Sequence, residues 1–267
     1  MTVFSVRGDR LIRRQVISSG GQFPVSVAVH DGLVYVLNAL DGGSVQGYRS
    51  VEGRLVKVLS WHRGLDLGAT GTPAFTHTPA QLDFTPDGSR LVITTKAGGN
   101  SIMVFPVGSR GLAAQPVTTS APGAVPFGLT FDGAGRLVVT EAGPNAVATY
   151  RVGSSGRLTK LDEKATDQAG TCWIVRAGSH LYASNAGSGS ITGLSVGADG
   201  AITTDGTTAT GPGTVDAAVS GDGRFLYVQT GGPGGVDAFR IEAGGVLRKV
   251  GSVTVPDAVG GEGIVAL

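Results

Sequence analysis

The chain has 267 residues and a formal net charge of +1, from 21 Lys and Arg against 20 Asp and Glu. Charged residues make up 15% and glycine 45 of the 267, so the sequence is poor in charge and rich in turns for a folded domain. No block of like charge marks a nucleic-acid or anionic-membrane binder, and the single cysteine, Cys172, excludes an internal disulfide and, with no Cys/His cluster nearby, a structural zinc site.

Residues 1–14 carry Arg7, Asp9, Arg10, Arg13 and Arg14 where an export signal would be apolar. As written, the sequence predicts a soluble cytoplasmic chain, an expectation that upstream sequence carrying an export signal would change. Residues 2–6 (TVFSV) and 11–18 (RLIRRQVI) read as two β-runs. Repeats then open at 24 (PVSVAV), 79 (PAQLDF), 126 (PFGLTF), 171 (TCWIVR) and 214 (TVDAAV), with a sixth opening, GEGIVA, at 261. Each repeat continues with a turn such as HDG, PDG, GAG or GDG and then a second run: LVYVLN, RLVITT, RLVVTE, HLYASN or FLYVQT. A Gly/Asn loop, a third run, a Gly turn and a fourth run complete the unit. The runs are rich in β-branched and aromatic residues, and Asp-Gly at 31/32, 87/88, 199/200 and 222/223 signals tight hairpins. Gly or Pro interrupts nearly every window long enough for a helix. Four-stranded units of this length cannot bury both faces of their own sheet, but radial stacking can, which predicts an all-β chain with a β-propeller fold.

The first two runs match the third and fourth runs of a repeat, and the chain ends just after a first run. The expectation is a single domain over 1–267, with six blades whose closing blade joins 1–20 to 261–267. A gapped ring completed by a second chain, as a homodimer, and a fragment of a longer ring fit the same pattern.

At PVSVAVHDGLVYVLN, PAQLDFTPDGSRLVITT, PFGLTFDGAGRLVVTEAG and SGDGRFLYVQT the chain resembles the lactonase family of β-propellers, which includes 6-phosphogluconolactonases and a carboxymuconate cyclase. The resemblance spans essentially the whole sequence and implies seven blades, with a site at the mouth of a central channel. It also implies an Arg-His pair after Pro126, where this chain has Phe127 and Gly128. Glu141 and His77 match an acidic and a histidine position of the family, whereas a basic position near the end of a second run is filled by Asn185.

Propeller geometry brings the ends of second runs and the starts of first runs to one face. Opening a lactone needs a base to activate water and donors for the developing oxyanion. Glu141 with His77 is the candidate base, and Lys96 completes the catalytic set. Asn38, Gln81, Trp173, Asn185, Asp216 and Gln229 are candidate substrate-binding residues, with Trp173 as a flat apolar wall. Glu141, Asn38 and Asn185 also suit turn capping, and Trp173 suits packing between blades. No GxSxG elbow, dinucleotide fingerprint or calcium loop is present, so no cofactor or metal is expected. The function expected is a cofactor-independent hydrolase of a small lactone or related ester. A non-catalytic binding propeller and a cyclase or isomerase remain open.

Overall fold

A computed structural model describes residues 1–68 and 73–266. Strands β1 (Thr2–Arg7) and β2 (Arg10–Val16) form a two-stranded sheet. The first meander comprises β3 (Pro24–His30), β4 (Leu33–Asn38), β5 (Ser44–Val51) and β6 (Arg54–Gly64). The second comprises β7 (Leu82–Phe84), β8 (Arg90–Thr94) and β9 (Ser101–Gly108), with β10 (Gly111–Leu112) and β11 (Val117–Ser120) both paired to β9. The third comprises β12 (Pro126–Phe131), β13 (Leu137–Glu141), β14 (Ala146–Val152) and β15 (Leu158–Ala165). The fourth is β16 (Thr171–Ala177), β17 (His180–Asn185), β18 (Ser190–Val196) and β19 (Ile202–Ala209), and the fifth β20 (Thr214–Val219), β21 (Phe225–Thr230), β22 (Gly235–Ile241) and β23 (Leu247–Thr254). Helix among the described residues is limited to short turns at Ala74–His77, Lys96–Gly99 (α1) and Ala243–Gly245, none long enough to cross a membrane.

The turn chemistry accounts for the register. Asp31 and Gly32 both have positive φ (45° and 75°), as a two-residue hairpin between right-twisted strands requires. At the PDG turn Asp87 accepts from the Ser89 amide at 3.1 Å and from the Thr85 hydroxyl at 2.6 Å. These bonds, with Ser89's hydroxyl, hold its carboxyl down at about 2.

The chain forms two compact units: Met1–Pro126 with Ser154–Arg157, and Phe127–Gly153 with Leu158–Leu267. The first has a core of Tyr35, Leu37, Val45 and Trp61 from β3–β6 against Leu82, Phe84, Leu91, Ile93 and Phe105 from the next sheet. In the second unit, Val138 and Val147 meet Ile174, Leu181 and Leu194 between the first two of its sheets. Tyr182 and Ile191 then meet Ala217, Leu226, Val228 and Phe239 between the second and third.

The closing strand expected at 261–267 is not formed: residues 261–266 carry no strand, and Leu267 lies outside the described residues. Gly261 and Gly263, the latter with φ +94°, deprive this segment of side chains and of extended backbone. Among the described residues β1 and β2 pair only with each other, so the composite sheet expected from both termini is absent as a hydrogen-bonded sheet.

Candidate functional site

In three repeats the third residue of the opening lies against the backbone of the next opening in the chain. Ser26, Gly128 and Asp216 hold this matching place, as do Gln81 and Trp173. The Ser26 hydroxyl accepts from the Leu82 amide at 3.2 Å. Asp216 accepts likewise from the Ile264 amide, so the C-terminal segment docks beside β20 as β7 docks beside β3, without becoming a strand. At Gly128 there is no room for a side chain: a Cβ would lie 2.6 Å from the Cys172 carbonyl oxygen and 2.8 Å from the Trp173 Cα. The histidine of the implied Arg-His pair therefore has no space at 128. Phe127 instead packs edge-on against Trp173, with ring centroids 4.7 Å apart at 63°. Trp173 is thus half-buried in an aromatic contact.

The last residues of the second strands also match one another, and most serve the scaffold. Asn38 donates to the Ser19 carbonyl at 3.2 Å, leaving its Oδ1 buried without a partner. Asn185 accepts from the Thr171 hydroxyl at 2.8 Å and donates to Ser190 and Thr192. Glu141 occupies the same place with a longer side chain and is 1% exposed. Its carboxylate accepts from the Tyr150 hydroxyl at 2.6 Å and pairs with the Lys160 ammonium at 3.0 Å. Burial and the bond to Glu141 push the Tyr150 phenol far upward. Burial pulls the Lys160 ammonium down, but its bonds to Glu163 and Glu141 outweigh that and raise it. With both oxygens occupied and the residue buried, Glu141 has a structural pairing where a free base was expected. Sequence spacing could not reveal this, because Tyr150 and Lys160 reach Glu141 along one sheet face from neighbouring strands.

His77 and Lys96 lie in the first compact unit. His77 ends the turn Ala74–His77 and its Nδ1 is 2.8 Å from the Thr76 hydroxyl. The turn packs against α1, where a Cβ on Gly98 would meet the His77 carbonyl oxygen. Lys96 opens α1 with φ +45° and is buried rather than held in an open loop. Gln81 donates its backbone amide to Thr94 and sits at the entrance to β7. His77 and Lys96 belong to one compact unit and Glu141 to the other.

Two other expected residues share the face of β20–β23 opposite its core. Gln229 pairs in register with Val236, two residues along from Tyr227, and Asp216 lies on the same side of β20 as Ala218, the partner of Tyr227. A cavity of about 340 Å³ is lined here by Tyr227, Val236, Ile264, Val265 and Ala266. Asp216 adjoins it through its bond with Ile264. Burial, opposed by the Ala217 and Ile264 amides and reinforced by the charge of Glu262, pushes the Asp216 carboxyl up to about 6. The Gln229 carbonyl oxygen is buried without a partner. Sequence reasoning missed Tyr227, Glu262 and Ile264; the GEGIVA segment, read as the start of a repeat, was the available signal for the last two. The face combines a carboxyl pushed up to about 6, an amide oxygen without a partner and an apolar wall.

No family model matches the chain, and no curated protein sequence matches it. Solved structures do. A 6-phosphogluconolactonase candidate from Bacteroides fragilis shares 20% identity with a TM-score of 0.80, covering 97% of this chain and 78% of that one. The periplasmic gluconolactonase of Pseudomonas aeruginosa shares 21% at 0.75, covering 95% and 76%. The virginiamycin B lyase of Staphylococcus aureus shares 17% at 0.60, covering 87% and 70%. The chain therefore has the fold of the lactonase-like β-propellers.

Proposed function

We propose that the chain is a cofactor-independent hydrolase that opens a small, uncharged lactone at the cavity beside β20, with Asp216 as general base. The observation that carries this reading is the Asp216 carboxyl, raised to about 6 next to a cavity of about 340 Å³. A base tuned near the working pH combines the correct protonation state with adequate basicity. Ionised Asp216 takes a proton from water as that water attacks the lactone carbonyl, and the Gln229 amide N–H donates to the developing oxyanion. The proton then passes from Asp216 to the departing ring oxygen, which leaves as the free hydroxyl. The fold shared with the gluconolactonase of Pseudomonas aeruginosa supports the substrate class. Asp216 and Glu262 give the site negative charge, and its lining residues include no cation, which disfavours a phosphorylated lactone. Hydrolysis of a panel of neutral and phosphorylated sugar lactones tests the reading. Asp216→Asn is expected to lower kcat by at least 100-fold, on the general-base scale of about 10²–10⁴, with the fold retained. Unchanged turnover in that variant contradicts the assignment.

A second reading, a propeller that binds a small molecule without turning it over, is favoured by Phe127 and the closed Gly128 position. It predicts saturable ligand binding and no hydrolysis of any lactone in the panel. The roles expected of His77 and Lys96 are tested separately with His77→Gln and Lys96→Met, each of which would lower turnover if its residue contributes to the chemistry.

A further inference from the structure

The β1–β2 hairpin has an apolar outer face and a basic tip. Residues directly opposite in an antiparallel pair share a face, and the register sets Val6 against Leu11, Phe4 against Arg13 and Thr2 against Val16. Val3 and its partner Gln15 lie on the other face, which turns to the body: the Gln15 amide donates to the Leu55 carbonyl at 2.9 Å and accepts from the Leu55 amide at 2.8 Å. Phe4, Val6, Leu11 and Val16 are accordingly 47%, 49%, 64% and 68% exposed. Arg7 and Arg10 stand opposite each other at the tip, Arg13 stands within the apolar row, and Arg14 is the extra residue of the bulge beside it. All four arginines are exposed. Asp9 is the one acid of the hairpin and lies 4.0 Å from Arg10 with both side chains in solvent, a pairing that neutralises little. Residues 1–18 thus carry a net charge of +3, whereas the other residues, with 17 cations and 19 acids, carry −2. Gly8, Asp9 and apolar residues separate the arginines along the sequence, and the hairpin gathers them.

We propose that this face docks on a bilayer carrying anionic lipid headgroups, as a peripheral anchor that lies on the membrane. The apolar row enters the boundary between headgroups and acyl chains while the arginines donate to lipid phosphates, the physics that holds amphipathic segments in the interface plane. Size and charge favour a bilayer over other occupants. A hairpin of this length presents a face about 20 Å by 10 Å, or roughly 200 Å², well short of the roughly 800 Å² per partner of a standard protein interface. A bilayer does not need that area, because each basic residue beside an anionic surface adds roughly fivefold in affinity. A second copy would set like charge against like charge on the same small face, and a nucleic acid would leave Phe4, Val6, Leu11 and Val16 against hydrated phosphates. The inference is independent of the proposed activity, which concerns the other compact unit.

Cosedimentation of the intact chain with vesicles tests it. Vesicles of equal parts phosphatidylcholine and phosphatidylglycerol are expected to bind at low salt at least tenfold more tightly than vesicles of phosphatidylcholine alone, and raised salt should weaken that binding. Arg13→Glu with Arg14→Glu is expected to weaken it at least tenfold, and Phe4→Ser with Leu11→Ser at least threefold, with the β-sheet circular dichroism retained. No binding to the anionic vesicles at low salt overturns the proposal and leaves the face to an acidic protein partner. Equal binding to both vesicle types overturns it too, as does binding that survives the arginine substitutions, which would place the contact on another surface. Binding unchanged by Phe4→Ser with Leu11→Ser contradicts entry of the apolar row. If the variants fail to fold, hydrogen exchange in the wild type decides: the β1 and β2 amides must exchange more slowly with anionic vesicles present, and unchanged exchange contradicts docking through the hairpin.

Discussion

A buried carboxyl beside a carboxylate and beneath a docked peptide segment carries a stability cost, and the direction of its shift fixes where in pH that cost appears. Asp216 moves from 3.8 unfolded to about 6 folded, so the folded state holds its proton more tightly. Stability contributed by this residue falls as pH rises from 3.8 to about 6, and the cost is fully present above that window. Asp216→Asn should therefore stabilise the protein by roughly 2–3 kcal/mol at neutral pH and bring no such gain below pH 3.8, as read by urea unfolding at the two pH values. Gly128 has the opposite expectation. Its missing Cβ is opposed by backbone at 2.6 Å, which cannot rotate away, so Gly128→Ala should cost roughly 1–3 kcal/mol, visible as a lowered Tm. Residue-level reading of the sequence singled out Asp216 and Gln229 through their places in the repeat, and these share one sheet face. It did not show the pairing of Glu141 with Lys160, which depends on strand register that no local motif encodes.

Successive sheets are joined by side chains at matching loop positions, and Asn145 is the clearest example. With φ +53°, its Oδ1 accepts from the Gly170 amide at 2.7 Å and the Thr171 amide at 3.2 Å, tying the start of β14 to the start of β16. Asn145→Ala should cost about 1–2 kcal/mol and speed hydrogen exchange at Gly170 and Thr171. Asn145→Gly accepts the positive φ but supplies no acceptor, so full rescue by glycine would assign the effect to backbone conformation instead. At this scale the sequence was informative wherever two β-rich runs flank an Asp-Gly turn: β3 and β4 flank 31/32, β7 and β8 flank 87/88, β18 and β19 flank 199/200, and β20 and β21 flank 222/223. It was least informative where glycine or a helical turn replaces extended backbone. The second repeat opening becomes strand only from Leu82, and the last opening remains irregular. Both positions satisfy an apolar pattern, but Ala74–His77 precedes the one and Gly261 and Gly263 interrupt the other.

Periodicity over the whole molecule was legible because every repeat must bury its sheet against another, which forces the same apolar alternation each time. The catalytic role proposed for Asp216 was not, because it depends on the docking of the C-terminal segment beside β20, which no position in the repeat encodes. With Cys172 alone, stability rests on packing, and Tm should be the same with and without reductant; a difference would reveal an intermolecular disulfide. The most direct test of the account is the pH dependence of lactone hydrolysis by the intact chain and by Asp216→Asn. The wild-type rate should rise through a midpoint near the Asp216 value of about 6 and level off above it, with that limb absent from the variant. A wild-type profile without that midpoint, or one that the variant reproduces, would contradict it.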